Sequence, residues 1–285
     1  MKNYLLLSLI ILTFSGLASS VNAVTWETLD YPGAFLTGII DIDGGKIIGL
    51  RGIYGDGLGY PSFIYDGSWS TLDLAGSLIA VSGSNFVGNY DTGNGFLYDG
   101  TSYSSLNFPG ASNTYLTDID GRNIIGDADG HGLIYNLDSQ QWTMLDYSGA
   151  NGTHLKAIDG SNMAGYFRDS ENINHHFVYD GSNWTLLDLP GFITGISGDN
   201  IVGRYLDASG VHGYLYNGTS WITLDFPGAN NTEVWGIDGD KIVGQYSDST
   251  GKHGFIATIP EPCTILLLGL GGLLVRRRTK RVARR

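Results

Sequence analysis

Four histidines stand at matching places in the chain, His131, His175, His212 and His253, and acidic residues recur beside glycine throughout it. Imidazole is the commonest metal-binding side chain, so four equivalent His make a candidate metal-binding ring. Repeats set around an axis, however, hold equivalent side chains far apart, and a His bonded to the loop before its strand explains the recurrence without a metal. The carboxylates raise a second chemistry. Asp41-Ile42-Asp43-Gly44 and Asp118-Ile119-Asp120-Gly121 begin like calcium loops, but the middle residue is Ile and the later ligands are missing. In other copies the first Asp becomes Ala157, Gly195 or Gly236. Tight hairpin turns account for these dipeptides, and Asp127-Ala128-Asp129-Gly130 is a further, isolated candidate. Hydrolysis needs a placed carboxylate pair, or Ser with His and Asp. Because the acids recur as turn residues in every unit, no pair stands apart from its copies, and no catalytic residue, metal or cofactor is assigned.

The elements that position these side chains belong to a unit of roughly forty residues that recurs six times. It opens on Trp26, Trp69, Tyr103, Trp142, Trp184 and Trp221, at spacings of 43, 34, 39, 42 and 37. Leu and an acidic or amide residue follow, from Leu29-Asp30 to Leu224-Asp225. A Pro-Gly turn comes next, as at Pro32-Gly33, Pro109-Gly110, Pro190-Gly191 and Pro227-Gly228, where Pro fixes the first turn angle and Gly accepts the second. A short strand then ends in Asp43-Gly44, Asp120-Gly121, Asp159-Gly160 or Asp238-Gly239, a hairpin signal. Its partner strand carries Gly49, Gly88, Gly126, Gly165, Gly203 or Gly244 at one position. A recurring strand glycine marks a bulge or close backbone approach, and in a radial array that crowding lies near the axis. A third strand of the type Phe63-Ile64-Tyr65-Asp66-Gly67 completes the unit.

Four strands per unit is the arithmetic of a propeller blade. The strand Trp26 to Tyr31 is left over at the front, and the last unit stops after Phe255 to Thr258 without its Trp strand. The expectation is therefore an all-β chain: a six-bladed β-propeller of four-stranded blades over 24–259, its N-terminal strand closing the last blade and removing both exposed edges. A β-solenoid of the same period would not need complementary ends.

The chain carries 16 Lys and Arg against 28 Asp and Glu. Eight of the basic residues are Lys2 and the cluster from Arg276 onward, so the part between has a net charge of −20. Such a surface excludes nucleic acid as a partner. With Cys263 alone, no intrachain disulfide forms.

Both ends read as addresses. Residues 1–23 have the order of a cleaved secretory signal, with Lys2, an apolar run from Leu5 to Phe14 and small residues ending at Ala23. At 260–285 stand Pro260-Glu261-Pro262, an apolar run from Cys263 to Val275 as a short transmembrane helix, and a basic tail opening with Arg276, Arg277 and Arg278. Thirteen helical residues span only ~20 Å of a ~30 Å hydrocarbon core, and the basic tail stays cytoplasmic. This suits a transient anchor.

These three parts in this order resemble the PEP-CTERM sorting signal of Gram-negative bacteria, with Cys263 where that family usually has Ser. The resemblance implies an exosortase partner, passing residence in the inner membrane, cleavage near the Pro-Glu-Pro motif, and a destination at the cell surface or outside the cell. The middle resembles the HAF-type extracellular repeats, in which a Val-x-Gly strand precedes His-Ala-Phe. The matching residues here are His131-Gly132-Leu133, His175-His176-Phe177, His212-Gly213-Tyr214 and His253-Gly254-Phe255, with Pro61 and Asn94 replacing His in the first two units. That family has no agreed activity.

The functional expectation is a non-catalytic exported module associated with exopolysaccharide or biofilm matrix. Tyr54, Tyr60, Tyr115 and Trp235 are candidates to stack on sugar rings, and the Gly-rich stretch Arg51 to Tyr60 is the longest insertion. The alternative is an extracellular propeller hydrolase or lyase acting on polysaccharide.

Overall fold

The computed structural model describes residues 24–53, 61–72 and 76–260, and Val24–Glu261 is one compact unit. The expected signal at 1–23, the segment from Glu261 to Arg285, and Tyr54 and Tyr60 lie outside the described residues. Among the described residues every regular element is a strand, and no helix is long and apolar enough to cross a membrane.

The 24 strands fall into six groups of four. The first strands are β2 (Leu36–Asp43), β6 (Ser77–Ser82), β10 (Tyr115–Asp120), β14 (Gly152–Asp159), β18 (Phe192–Ser197) and β22 (Asn231–Asp238). The second strands are β3 (Lys46–Gly52), β7 (Asn85–Asn89), β11 (Asn123–Ala128), β15 (Asn162–Arg168), β19 (Asn200–Asp207) and β23 (Lys241–Ser247). The third are β4 (Ser62–Tyr65), β8 (Gly95–Tyr98), β12 (His131–Asn136), β16 (Asn174–Tyr179), β20 (Gly210–Tyr216) and β24 (Lys252–Thr258). The fourth, supplied by the Trp segments, are β5 (Trp69–Leu72), β9 (Tyr103–Leu106), β13 (Gln141–Met144), β17 (Trp184–Leu187), β21 (Trp221–Leu224) and, from the N-terminus, β1 (Thr25–Thr28).

Six separate sheets were expected, and the structure corrects this: the described residues form five. Four are free four-stranded sheets, while the first and last repeats share one eight-stranded sheet. The joint is a single contact at the start of β24. β1 pairs antiparallel with β24 only from Phe255 to Thr258, which leaves the start of β24 an open edge, and Leu36 of β2 closes on Lys252 there through a single parallel bridge. The N-terminal strand does complete the last repeat, with a Leu29 N–H bond to the Gly254 carbonyl and the His253 Nδ1 to Asp30 Oδ2 contact at 2.7 Å.

The core lies between neighbouring sheets. Val202, Leu215 and Leu224 of one repeat pack on Val234, Ile237, Ile242 and Phe255 of the next. The third-strand residue paired with the repeated glycine is an aromatic ring in five repeats, Phe63, Phe96, Phe177, Tyr214 and Phe255, and Leu133 in the other, and all six are fully buried. Burial of this kind contributes roughly 2–3 kcal/mol per large side chain.

The repeated glycine has a specific cause. Each first strand carries a bulge at one position, at Ile40, Ile79, Thr117, Lys156, Thr194 and Trp235. Just before each bulge a first-strand carbonyl is pushed against the second strand. A Cβ on Gly49, Gly88, Gly126, Gly165, Gly203 or Gly244 would sit 2.0 to 2.3 Å from that oxygen. In four repeats the buried ring of the third strand also occupies the space, as Phe63 does 2.5 Å from a Cβ on Gly49. Replacing Gly203 by Ala therefore forces backbone to move, and urea denaturation is expected to show a loss of about 1–3 kcal/mol. An unchanged midpoint would contradict the packing described.

Candidate functional site

The first strands of all six repeats contact one another in turn, β22 returning to β2, and their hairpin tips are linked by hydrogen bonds from one repeat to the next. Gly83 N–H donates to Asp43 at 2.7 Å, Gly121 to Ser82 at 3.0 Å, Gly160 to Asp120 at 2.7 Å, Gly198 to Asp159 at 2.6 Å, Gly239 to Ser197 at 3.0 Å and Gly44 to Asp238 at 2.9 Å. The set closes on itself. The Asp-Gly dipeptides are thus turns and also latches between repeats, and Ser82-Gly83 and Ser197-Gly198 serve in the two repeats that lack Asp.

Inside this ring lies a narrow cavity of about 60 Å³ lined by Asp41, Asp118, Thr194, Gly195 and the latch residues. It has room for at most a few waters. Asp41 accepts from Val81 N–H at 2.9 Å and Asp118 from Ile158 N–H at 2.8 Å. Glycine at the matching place in the last repeat makes space for Asp41, since a Cβ on Gly236 would lie 2.9 Å from its Oδ1. Burial pushes the Asp41 carboxyl up to about 7, against the backbone bonds from Val81 and Ile42, and pushes Asp118 well up, with the nearby Asp41 charge adding to it.

Along the axis, Thr194 leads from this cavity into a wider pocket of about 490 Å³. The six bulged residues, Ile40, Ile79, Thr117, Lys156, Thr194 and Trp235, all line it. A bulge turns its extra side chain out of the strand's alternation, and here all six turn to the axis. Thr117 and Thr194 donate to the carbonyls of Leu155 and Val234 in the following repeat. Two residues before the bulges, Tyr115 opposite Asp127 and His154 opposite Tyr166 also line the pocket, and the same register positions in the next two repeats hold Phe192 opposite Arg204 and Glu233 opposite Gln245.

Two ion clusters occupy this mouth. Asp127 meets Lys156 Nζ at 3.4 Å and His154 Nδ1 at 3.5 Å, and the His154 ring stacks on Tyr166 with centroids 4.8 Å apart. Burial acts to raise the Asp127 carboxyl, but the His154 hydrogen bond and the Lys156 charge together hold it below the ordinary range. Across the mouth, Glu233 accepts from Arg204 and from Gln245 Nε2 at 3.1 Å, with Lys252 Nζ 3.6 Å away. The Arg204 guanidinium lies 4.2 Å over the Trp235 ring, a cation–π contact.

The four repeated histidines fall on different sheets, on β12, β16, β20 and β24. His131, His212 and His253 each bond, through Nδ1, the Asp that ends the fourth strand of the same sheet, Asp146, Asp225 and Asp30. His175 instead bonds Asp169 in the loop before its strand at 2.8 Å. Among the described residues no group of three or more His, Cys, Asp or Glu is placed to hold a metal ion. Of the aromatic candidates, Tyr115 and Trp235 come together at the mouth. His154, Lys156, Tyr166, Arg204 and Glu233 were not among the candidates; their signal in the sequence is a set of positions that vary from repeat to repeat beside positions that hold.

No protein-family model and no curated protein sequence matches the chain. Among solved structures, it is similar to the β-propeller domain of the Trilobed protease from Pyrococcus furiosus, at 10% identity and a TM-score of 0.51, over 79% of this chain and 96% of that one. It is also similar to Aleuria aurantia lectin, at 11% identity and a TM-score of 0.44 over 82% of this chain and 97% of that one. A likeness to Trypanosoma rangeli sialidase has 11% identity and a TM-score of 0.44, over 86% of this chain and 57% of that one. The first of these shows an all-β propeller fold.

The buried pair sets a pH dependence. A carboxyl whose folded value is raised contributes stability that is full below its unfolded value near 3.8 and is lost as pH rises through its folded value. Unfolding free energy is therefore expected to fall between about pH 4 and above pH 7 at this locus, and Asp41→Asn to flatten that slope. A wild-type slope retained in Asp41→Asn would refute the assignment.

Proposed function

We propose that the chain is a binding module of the propeller type, without catalytic activity, that takes a saccharide into its axial mouth. One observation carries this: six bulged side chains aimed at one pocket differ among repeats, whereas the latches around them keep an Asp-Gly or Ser-Gly pattern. Structural demand explains uniform columns, and a column free to vary at a shared concave site is where specificity resides. The lining suits a sugar, with Tyr115, Tyr166 and Trp235 offering ring faces and Asn89, Thr117, Lys156 and His154 offering polar groups. Against the hydrolase or lyase reading, the carboxylates at the mouth, Asp127 and Glu233, are each engaged by neighbouring cations, and the carboxyls with raised values, Asp41 and Asp118, sit in a cavity too small for a sugar.

The eight-stranded sheet is read here as two blades joined by one bridge, which makes six blades around the axis. The export and sorting reading stands on the sequence of the two ends. A cleaved leader at 1–23 and the sorting segment 260–285 would deliver the module through an exosortase to the cell surface or the surrounding polymer matrix.

Titration of tryptophan fluorescence with a panel of soluble oligosaccharides, for the wild type and Trp235→Ala, tests the site. At least tenfold weaker binding by a variant of unchanged circular dichroism is expected, and equal affinity would place the ligand elsewhere. For the address, a chain lacking 260–285 is expected to escape C-terminal processing and change fraction; mass spectrometry finding the same mature C-terminus in an exosortase-null strain would refute it.

A further inference from the structure

The mouth is basic on an acidic molecule. Between the two ends the sequence holds only eight Lys and Arg; of these Lys156 lines the pocket, Arg204 lies over Trp235, which lines it, and Lys252 joins Arg204 at Glu233. Their carboxylate partners do not neutralise them one for one. Asp127 is shared between Lys156 and His154, and Glu233 among Arg204, Lys252 and the Gln245 amide. Two acids thus face three permanent cations and an imidazole. The Arg204 guanidinium, stacked on Trp235, directs one of its five N–H groups to Glu233. Trp235 and Lys156 are themselves bulged residues lining the pocket, so cation and ring face meet in one cavity. Excess cation in a concave, partly buried mouth focuses an attractive field on anions, and the −20 background keeps them from other faces.

Resting on the reading of the mouth as a saccharide site, we propose that its ligand is an acidic saccharide, one bearing carboxylates on its rings, with Lys156 and Arg204 meeting the carboxylates while the aromatic residues meet the ring faces. Asp127 and Glu233 hold these cations in place when the site is empty. They also tune affinity: each restrains a cation that the ligand would otherwise engage.

The test is calorimetric titration of the full-length chain with hexagalacturonate and, separately, with a neutral hexagalactan, at 20 and 300 mM salt. The acidic oligomer is expected to bind at least tenfold more tightly than the neutral one, and to lose most of that margin at high salt. Lys156→Gln and Arg204→Gln should each weaken it tenfold or more. Asp127→Asn should strengthen it several-fold, a gain that misfolding cannot mimic. Equal or tighter binding of the neutral oligomer, still abolished by Trp235→Ala, overturns the acidic ligand and leaves the saccharide site intact. Absence of binding by both oligomers overturns the acidic ligand and the saccharide site together.

Discussion

Six hydrogen bonds from a glycine N–H of one hairpin tip to an Asp or Ser of the preceding one close a ring at the axis, from Gly83 and Asp43 round to Gly44 and Asp238. Each alone is worth about 1 kcal/mol. Their weight comes from closure. Neighbouring sheets share their apolar core, so every sheet depends on being held at the right distance from two others. The latches set that spacing at the hairpin tips, where the sheets come nearest, and the N-terminal strand does the same farther out by completing the last repeat. The continuous sheet formed by the first and last repeats shows how tightly the two ends of the ring are drawn together.

A second constraint follows from the first. Strands that converge on an axis must give up their regular alternation somewhere, and every first strand does so with a bulge at one place. The bulge pushes a carbonyl onto the second strand, which leaves glycine as the residue that fits opposite, and it releases one side chain toward the axis. Structure fixes the glycine and sets the bulged side chain free. The same local geometry therefore produces a column that is glycine in all six repeats and one that varies among Ile, Thr, Lys and Trp, and the varying one lines the pocket.

Much of the fold was legible in the chain because it rests on local rules repeated six times. Trp spacing, Pro-Gly turns, Asp-Gly hairpins and the complementary ends led to a propeller closed by the N-terminal strand, and the strand glycine pointed to crowding near the axis. The joined first and last sheets were not legible, since they depend on one bridge between Leu36 and Lys252. The site was harder to read for a physical reason. Repetition draws attention to His131, His212 and His253, which the structure shows clamping third strands to fourth, whereas Lys156, Trp235 and Arg204 occur once and gain meaning only when the bulges bring them to one axis. Tyr115 and Trp235 were visible as candidate sugar-stacking rings, but nothing in their spacing placed them together.

The proposed recognition at the axial mouth is measured directly by hydrogen–deuterium exchange of the full-length chain with and without a bound oligosaccharide. The predicted result is added protection confined to the segments around Tyr115–Thr117, His154–Lys156, Tyr166, Arg204 and Glu233–Trp235, with the outer strands β9, β13, β17 and β21 unchanged. Protection on those outer strands, with the axial segments exchanging as before, would contradict it.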